Sequence, residues 1–297
     1  MHERFAAGLD EARPGSGFPA ARFRARPDPG PDTHGEDQPD LKTSTTLQIF
    51  DRIVCGVDGT AEALEAARQA ERLRSPERTL RLIAVTEVNT AVHAGFAMSH
   101  ALAELDAASR EGLLRAIGEV EPASAQLLEG NASRSLLDEL ERTNAPLISV
   151  GPGGHSRAAG VLVGGVATEL LHKAPCSVLF AREPRFGKFP TSIIVGVDGS
   201  AHSLGAANVA QSLAERFDSE LVIVAARCGK GVELEPIEEN SPSFITDPGH
   251  PVAVLSELSE EADLVVVGSR GLHGPRELGS VSERVAHRAV SSVLVVR

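Results

Sequence analysis

Several stretches of this chain occur twice, in the same order. Ile53-Val-Cys-Gly-Val-Asp-Gly-Thr60 is matched by Ile193-Ile-Val-Gly-Val-Asp-Gly-Ser200, and Leu147-Ile-Ser-Val-Gly-Pro-Gly-Gly154 by Leu264-Val-Val-Val-Gly-Ser-Arg-Gly271. Gly164-Gly-Val166 is matched by Gly279-Ser-Val281, and His172-Lys-Ala174 by His287-Arg-Ala289. The spacing between partners only shrinks toward the C-terminus, as it would in a duplicated unit with deletions in its second copy. A chain of 297 residues is long enough for two domains. The division expected is a tail over 1–47, a first domain over 48–182, a linker over 183–190 with two Pro and a Gly, and a shortened second domain over 191–297.

Residues 1–47 hold six Pro and five Gly among mixed charges, without a sustained period, and read as a disordered tail. Arg22, Arg24 and Arg26 could touch an acidic partner, or simply be solvated.

Within each copy, short apolar runs alternate with helical periodicity. Arg52–Val57, Leu80–Val85, Ser124–Leu128, Leu147–Val150 and Ser177–Phe180 read as strands. Ala61–Arg74, Met98–Gly118, Ser133–Arg142 and Gly165–Lys173 read as the helices between them. This alternation implies an α/β fold, doubly wound, with parallel strands joined by right-handed crossovers. The second copy has only a short stretch, from Arg227 to Ser241, between its second strand and the strand-like piece at Ser243–Thr246. Its second helix is expected to be missing or reduced to a loop, leaving part of one sheet face for another subunit or the first domain to cover.

Composition excludes several functions. A net charge of −12 argues against a phosphate-backbone binder, and the absence of Trp and Tyr removes base-stacking platforms. Three cysteines cannot close a disulfide framework and fit a reducing compartment. Cys55 and Cys176 read as inert core thiols and Cys228 as a loop residue. No apolar run approaches a membrane span, and no secretory leader is evident, so the expectation is a cytoplasmic protein. The histidines show no metal-ligand spacing, and no Ser-His-Asp arrangement is readable.

Two features recur where ligands bind in open parallel sheets, beyond the carboxyl ends of the strands where chain order reverses. One is an Asp after the first strand, Asp58 and Asp198. The other is a Gly-rich loop after the fourth, Gly151-x-x-Gly154 and Gly268-x-x-Gly271. Glycines let backbone N–H groups approach an anion. The helices beginning near Gly165 and Ser280 aim their positive ends at the same place, and an Asp can accept from ribose hydroxyls. The combination suits a nucleotide. Simpler readings exist: Asp58 as a helix cap, the glycines as tight turns, and Arg270, His155 and His273 as surface residues.

Val-x-Val-Asp-Gly-(Ser/Thr), followed by Gly-x-x-Gly and a Gly-Ser-Val before the last helix and strand, resembles the universal stress protein family over about residues 49–297, as a tandem member. The resemblance implies two open five-stranded parallel sheets of Rossmann-like, adenine nucleotide alpha hydrolase-like type. It also implies that the last strands of the two halves, Ser177–Phe180 and Ser292–Val296, pair antiparallel. It implies a non-enzymatic stress-response protein, with ATP or a related adenine nucleotide as cofactor and Mg2+ as the ion that would accompany it. Partners would be that nucleotide, the other half of the chain and a homo-oligomer, without nucleic acid or membrane.

Carried over by position, the binding residues are Asp58, Val85, Gly151, Gly154, Gly164, Gly165 and Val166, and then Asp198, Gly268, Gly271, Gly279, Ser280 and Val281. Both copies depart from the ATP pattern of Gly-x-x-Gly, nine residues, then Gly-(Ser/Thr). The first keeps the span but has Gly165 where the hydroxyl belongs. The second has Ser280, but only seven residues separate Gly271 from Gly279. A lost hydroxyl costs about 0.5–1.5 kcal/mol, whereas a shortened loop displaces several donors, so the first copy is expected to be the better binder. The alternative is a scaffold or interaction protein whose sites have decayed. An enzyme is a further reading for which no catalytic base is placed.

Overall fold

The structure, a computed structural model, describes residues 50–75, 78–87, 98–153, 164–185, 187–226, 244–247, 249–269 and 279–297. The expected tail over 1–47, the shortened segment of the second copy, Cys228, Arg270, His155 and His273 lie outside them.

The first half alternates β1 (Arg52–Gly56), α1 (Ala61–Leu73), β2 (Thr79–Thr86), α2 (Met98–Glu119), β3 (Ser124–Glu129), α3 (Ala132–Thr143), β4 (Leu147–Val150), α4 (Gly165–Lys173) and β5 (Ser177–Phe180). The second runs β6 (Ser192–Gly196), α5 (Ala201–Phe217), β7 (Glu220–Ala226), β8 (Phe244–Asp247), α6 (Pro251–Leu258), β9 (Leu264–Gly268), α7 (Ser280–Arg288) and β10 (Ser292–Val296).

The strands form one ten-stranded sheet in the order β3-β2-β1-β4-β5-β10-β9-β6-β7-β8. Every pairing is parallel except the central one, where β5 and β10 run antiparallel with Leu294 opposite Leu179. Each half therefore has the doubly wound order expected, and the two halves join through their last strands.

Alternation along the strands sends side chains to opposite faces. Ile53 and Cys55 belong to an apolar cluster with α1, α2 and α5, built from residues such as Ala66, Leu113 and Ala210. Val54 belongs to a cluster on the other face with α3, α4, α6 and α7, built from Leu136, Leu170, Leu255 and Val285. β4, β5, β9 and β10 are buried along their whole length. Two-sided burial explains why they are continuous apolar runs. Cys55 and Cys176 are buried free thiols, and burial pushes both up, Cys176 to about 12. Neither is a reactive thiolate. None of the described helices is long and apolar enough to cross a membrane.

Candidate functional site

β1 and β4 are neighbours with opposite onward connections, so the switch point of the first half lies at their carboxyl ends. The Asp58-Gly59-Thr60 turn leaves β1 there. Asp58 is exposed, and its Oδ1 accepts from the backbone N–H of Thr60 at 3.0 Å and from Thr60 Oγ1 at 2.6 Å. Thr60 Oγ1 in turn accepts from Ala63 N at 3.2 Å, so Thr60, and not Asp58, caps α1. The second half repeats the arrangement. Asp198 Oδ1 accepts from Ser200 N at 3.0 Å, and Ser200 caps α5 through Ser203 N. Gly59 and Gly199 sit at φ of +82° and +83°, conformations that side-chain-bearing residues rarely adopt.

The glycine loops start beside these turns. A Cβ on Gly151 would lie 2.9 Å from the carbonyl carbon of Glu62 and 3.0 Å from Ala63 N, in the first turn of α1. One on Gly268 would lie 2.7 Å from the carbonyl of His202 and 2.9 Å from Ser203 N, in the first turn of α5. Both positions need glycine for backbone packing, whether or not a ligand is present. Each loop then closes at its base with the same bond: Gly164 N donates to Pro152 O at 2.5 Å, and Gly279 N to Ser269 O at 2.6 Å. The two-residue difference in length is thus confined to the stretch between these closures. Gly154 and Gly271 fall in that stretch, outside the described residues.

α4 and α7 begin at Gly165 and Ser280, as expected, with Gly164 and Gly279 as their N-caps and Val166 and Val281 half-buried behind them. Neither cap has a side-chain hydrogen bond. Thr60, Asn131, Ser200 and His250 all cap the helices they precede. Among the described residues, the two helices that follow glycine loops therefore have no side-chain cap, and that end of a helix attracts an anion. Ser282 Oγ donates to Gly268 O at 2.6 Å, fixing α7 to its loop; Ala167 occupies that position in α4. Around Gly165 a Cβ would meet nothing within 4 Å.

Val85 lies one residue from the end of β2, half-buried against the cluster of the α3 and α4 face, and its carbonyl accepts from Ser109 Oγ on α2 at 3.4 Å. α2 also reaches the Asp58 turn. A Cβ on Gly112 would lie 2.7 Å from Gly59 N, and Arg115 Nη1 donates to Gly59 O at 3.3 Å. The sequence reading did not single out Gly112; a glycine inside a helical pattern was the available signal.

The family model described as the universal stress protein family matches residues 49–182 and 225–297. The chain belongs to the universal stress protein family. This tandem universal stress protein is 28% identical over 288 residues to a universal stress protein of Mycolicibacterium smegmatis, covering 82% of this chain and 96% of the relative. It is 32% identical over 186 residues to one of Mycobacterium tuberculosis, covering 52% of this chain and 62% of the relative. In fold it is similar to the crystal structure of a universal stress protein from Archaeoglobus fulgidus, with a TM-score of 0.65 at 20% identity, covering 83% of this chain and 96% of that one. It is also similar to a functionally unknown protein from Pseudomonas aeruginosa, with a TM-score of 0.60 at 17% identity, covering 85% and 94%.

A cavity of about 380 Å³, lined by Phe50, Leu140, Pro146, Cys176, Val209 and Val296 among others, lies at the amino ends of β4 and β5. It lies at the far end of β4 from the first glycine loop, whereas Val296 in its lining pairs with Gly268, where the second glycine loop begins. Among the described residues no group of His, Cys, Asp and Glu could hold a metal ion.

Proposed function

We propose that this universal stress protein binds ATP or a related adenine nucleotide, accompanied by Mg2+, at the carboxyl ends of β1 and β4, and acts without catalysing a reaction on it. The observation that carries the reading is the pair of helix starts at Gly165 and Ser280. Among the described residues they have no side-chain cap, and they follow closed glycine loops whose first glycines pack against the helices that the Asp turns open. Phosphates would accept from first-turn N–H groups, and Asp58 or Asp198 would accept from ribose hydroxyls. The first half is the better binder because its loop keeps the longer span. Isothermal calorimetry with ATP tests the reading, with Asp58→Ala as the site variant. Heat that saturates in the wild type and loses its tighter component in Asp58→Ala supports it, and no binding at millimolar ATP overturns it.

One observation favours a second reading, that of an interaction scaffold without a nucleotide. Gly151 and Gly268 are required by backbone packing alone, so the glycines would persist in a unit whose ligand had been lost. A chain that purifies free of nucleotide, ignores added ATP and still forms a defined assembly would decide for the scaffold.

A further inference from the structure

The two halves differ at the amino ends of their last strands. Val209 on α5 matches Gln69 on α1, Pro146 before β4 matches Asp263 before β9, and Cys176 before β5 matches Ser291 before β10. Around β9 and β10 the polar members bond to their surroundings. Gln69 is buried; its Nε2 donates to Arg182 O at 2.7 Å and its Oε1 accepts from Ser292 Oγ at 2.9 Å. Asp263 Oδ2 accepts from Thr191 N at 2.9 Å. Around β4 and β5 the apolar members make no such bonds. Val209 is half-buried and has no amide to reach across with, and neither Pro146 nor Cys176 carries a strong hydrogen-bonding group in its side chain. All three line the cavity of about 380 Å³.

That cavity has the make-up of a small-molecule site, a concave and mainly apolar space with a few polar groups. Both halves build its apolar wall, Phe50 and Leu140 from the first and Val209 and Val296 from the second. Its polar lining is Asn144, Ser177 and Arg297. Arg297 is held here at two points: its backbone N–H donates to Ser177 Oγ at 3.3 Å, and its Nη2 donates to Leu171 O at 2.6 Å. Its charge is felt at the cavity wall, where burial pushes the Cys176 thiol up and Arg297 opposes the rise. Among the described residues, the lining contains no Asp or Glu. An apolar chamber with a cation at its edge and no carboxylate complements an apolar body that ends in an anion.

We propose that this cavity binds a small monocarboxylate, with its apolar body among Phe50, Leu140 and Val209 and its carboxylate toward Arg297. The inference is independent of the nucleotide reading above. It assigns a second kind of ligand to the seam between the halves, where side chains of both would touch it at once. Val209 is the residue that sets the space, because glutamine fills the matching position on α1. Arg297 is exposed, so its charge selects among ligands modestly, by about fivefold.

The test is a titration of the full chain with sodium octanoate, octan-1-ol and octylamine, followed by the methyl resonances of Leu140, Val209 and Val296. Octanoate is expected to shift these methyls and saturate at millimolar concentration, about fivefold more tightly than octanol, with octylamine the weakest. Arg297→Gln should bring octanoate to the level of octanol and leave octanol unchanged. Val209→Gln, which installs the residue of the other half, should weaken octanoate about tenfold. Cys176→Met fills the space from another wall without adding a polar group and should act in the same direction, and the methyl spectrum shows whether each variant is folded. Methyls that stay still in octanoate overturn the inference; that is the result expected if the residues before Phe50 fill the cavity instead. Octanol binding as tightly as octanoate overturns it too, as does an octanoate affinity that both folded cavity-filling variants leave untouched.

Discussion

The guanidinium of Arg182, just past β5, donates to the carbonyl of Ala286 in α7 at 2.6 Å, and the guanidinium of Arg297, just past β10, donates to the carbonyl of Leu171 in α4 at 2.6 Å. The backbone repeats the exchange: Arg182 N donates to Ser292 Oγ at 2.9 Å, and Arg297 N to Ser177 Oγ at 3.3 Å. Each half thus closes the last helix of the other with a cation, at the end of the helix that favours one. Arg182 is the more deeply buried, and desolvation pushes it down to about 10.

Arg182→Ala should therefore cost about 2–3 kcal/mol, because it leaves the carbonyls of Ala286 and Ser291 without their charged donor. Arg297→Ala, at an exposed position, should cost less than about 1 kcal/mol. Since the folded state binds the Arg182 proton less tightly than the unfolded chain, its pH effect begins only above about 10. The Arg182→Ala penalty should be flat from pH 6 to pH 9. Urea unfolding at several pH values checks all three expectations.

The glycines of the loops divide by space. Gly268→Ala places a Cβ against the backbone of His202 and should lower stability by about 1–3 kcal/mol. Gly165→Ala meets open space at the start of a helix and should be neutral or stabilising by up to about 1 kcal/mol. Thermal unfolding of the two variants side by side separates a glycine needed for packing from one that is not.

Gly165→Ser puts the hydroxyl of the family pattern into that open space. Under the nucleotide reading it should tighten ATP at the first site by about 0.5–1.5 kcal/mol, roughly two- to tenfold. Calorimetry against the parent chain measures it. A folded variant with unchanged affinity would mean that the hydroxyl does not meet a phosphate here.

Thr60→Ala removes the α1 cap and the second bond that steadies Asp58. Stability should fall by about 1 kcal/mol, and ATP affinity at the first site should fall with it. Thr60→Ser, which restores the residue found at Ser200, should recover both.

His287 gives the acid-side prediction. Its pKa is lowered in the fold, chiefly by burial, with Arg182 and His172 adding to this and Glu283 opposing it. The unfolded chain then takes up its proton first, so stability is full above the unfolded imidazole value of about 6.5 and declines as the pH falls from there toward the lower folded value. His287→Gln should flatten the stability profile over that interval, as followed by urea midpoints.

Much of this molecule was legible in its sequence, because the signals were periodic or duplicated. β4 and β5 run over the residues expected, since strands buried on both faces are unbroken apolar runs. α4 starts at Gly165 because the glycine before it ends the loop. What stayed hidden depends on which elements touch. The cap at Thr60 turns on which of two adjacent acceptors faces Ala63 N. Gly112 matters only because α2 crosses the Asp58 turn at backbone distance. Gln69, buried, donates to Arg182 O and accepts from Ser292 Oγ, contacts made across more than a hundred residues of chain. Arg182 and Arg297 do align in the repeat, but their exchange follows only from the antiparallel central pairing.

That central pairing also bears on how the protein responds to its surroundings. A one-unit relative would have to find a second molecule to shelter its last strand, and dilution would part them. Here the tether between β5 and β10 makes the encounter intramolecular. The union should hold at any concentration of the chain, and it leaves the rims at β3 and β8, together with the outer helices, as the places where further molecules can attach.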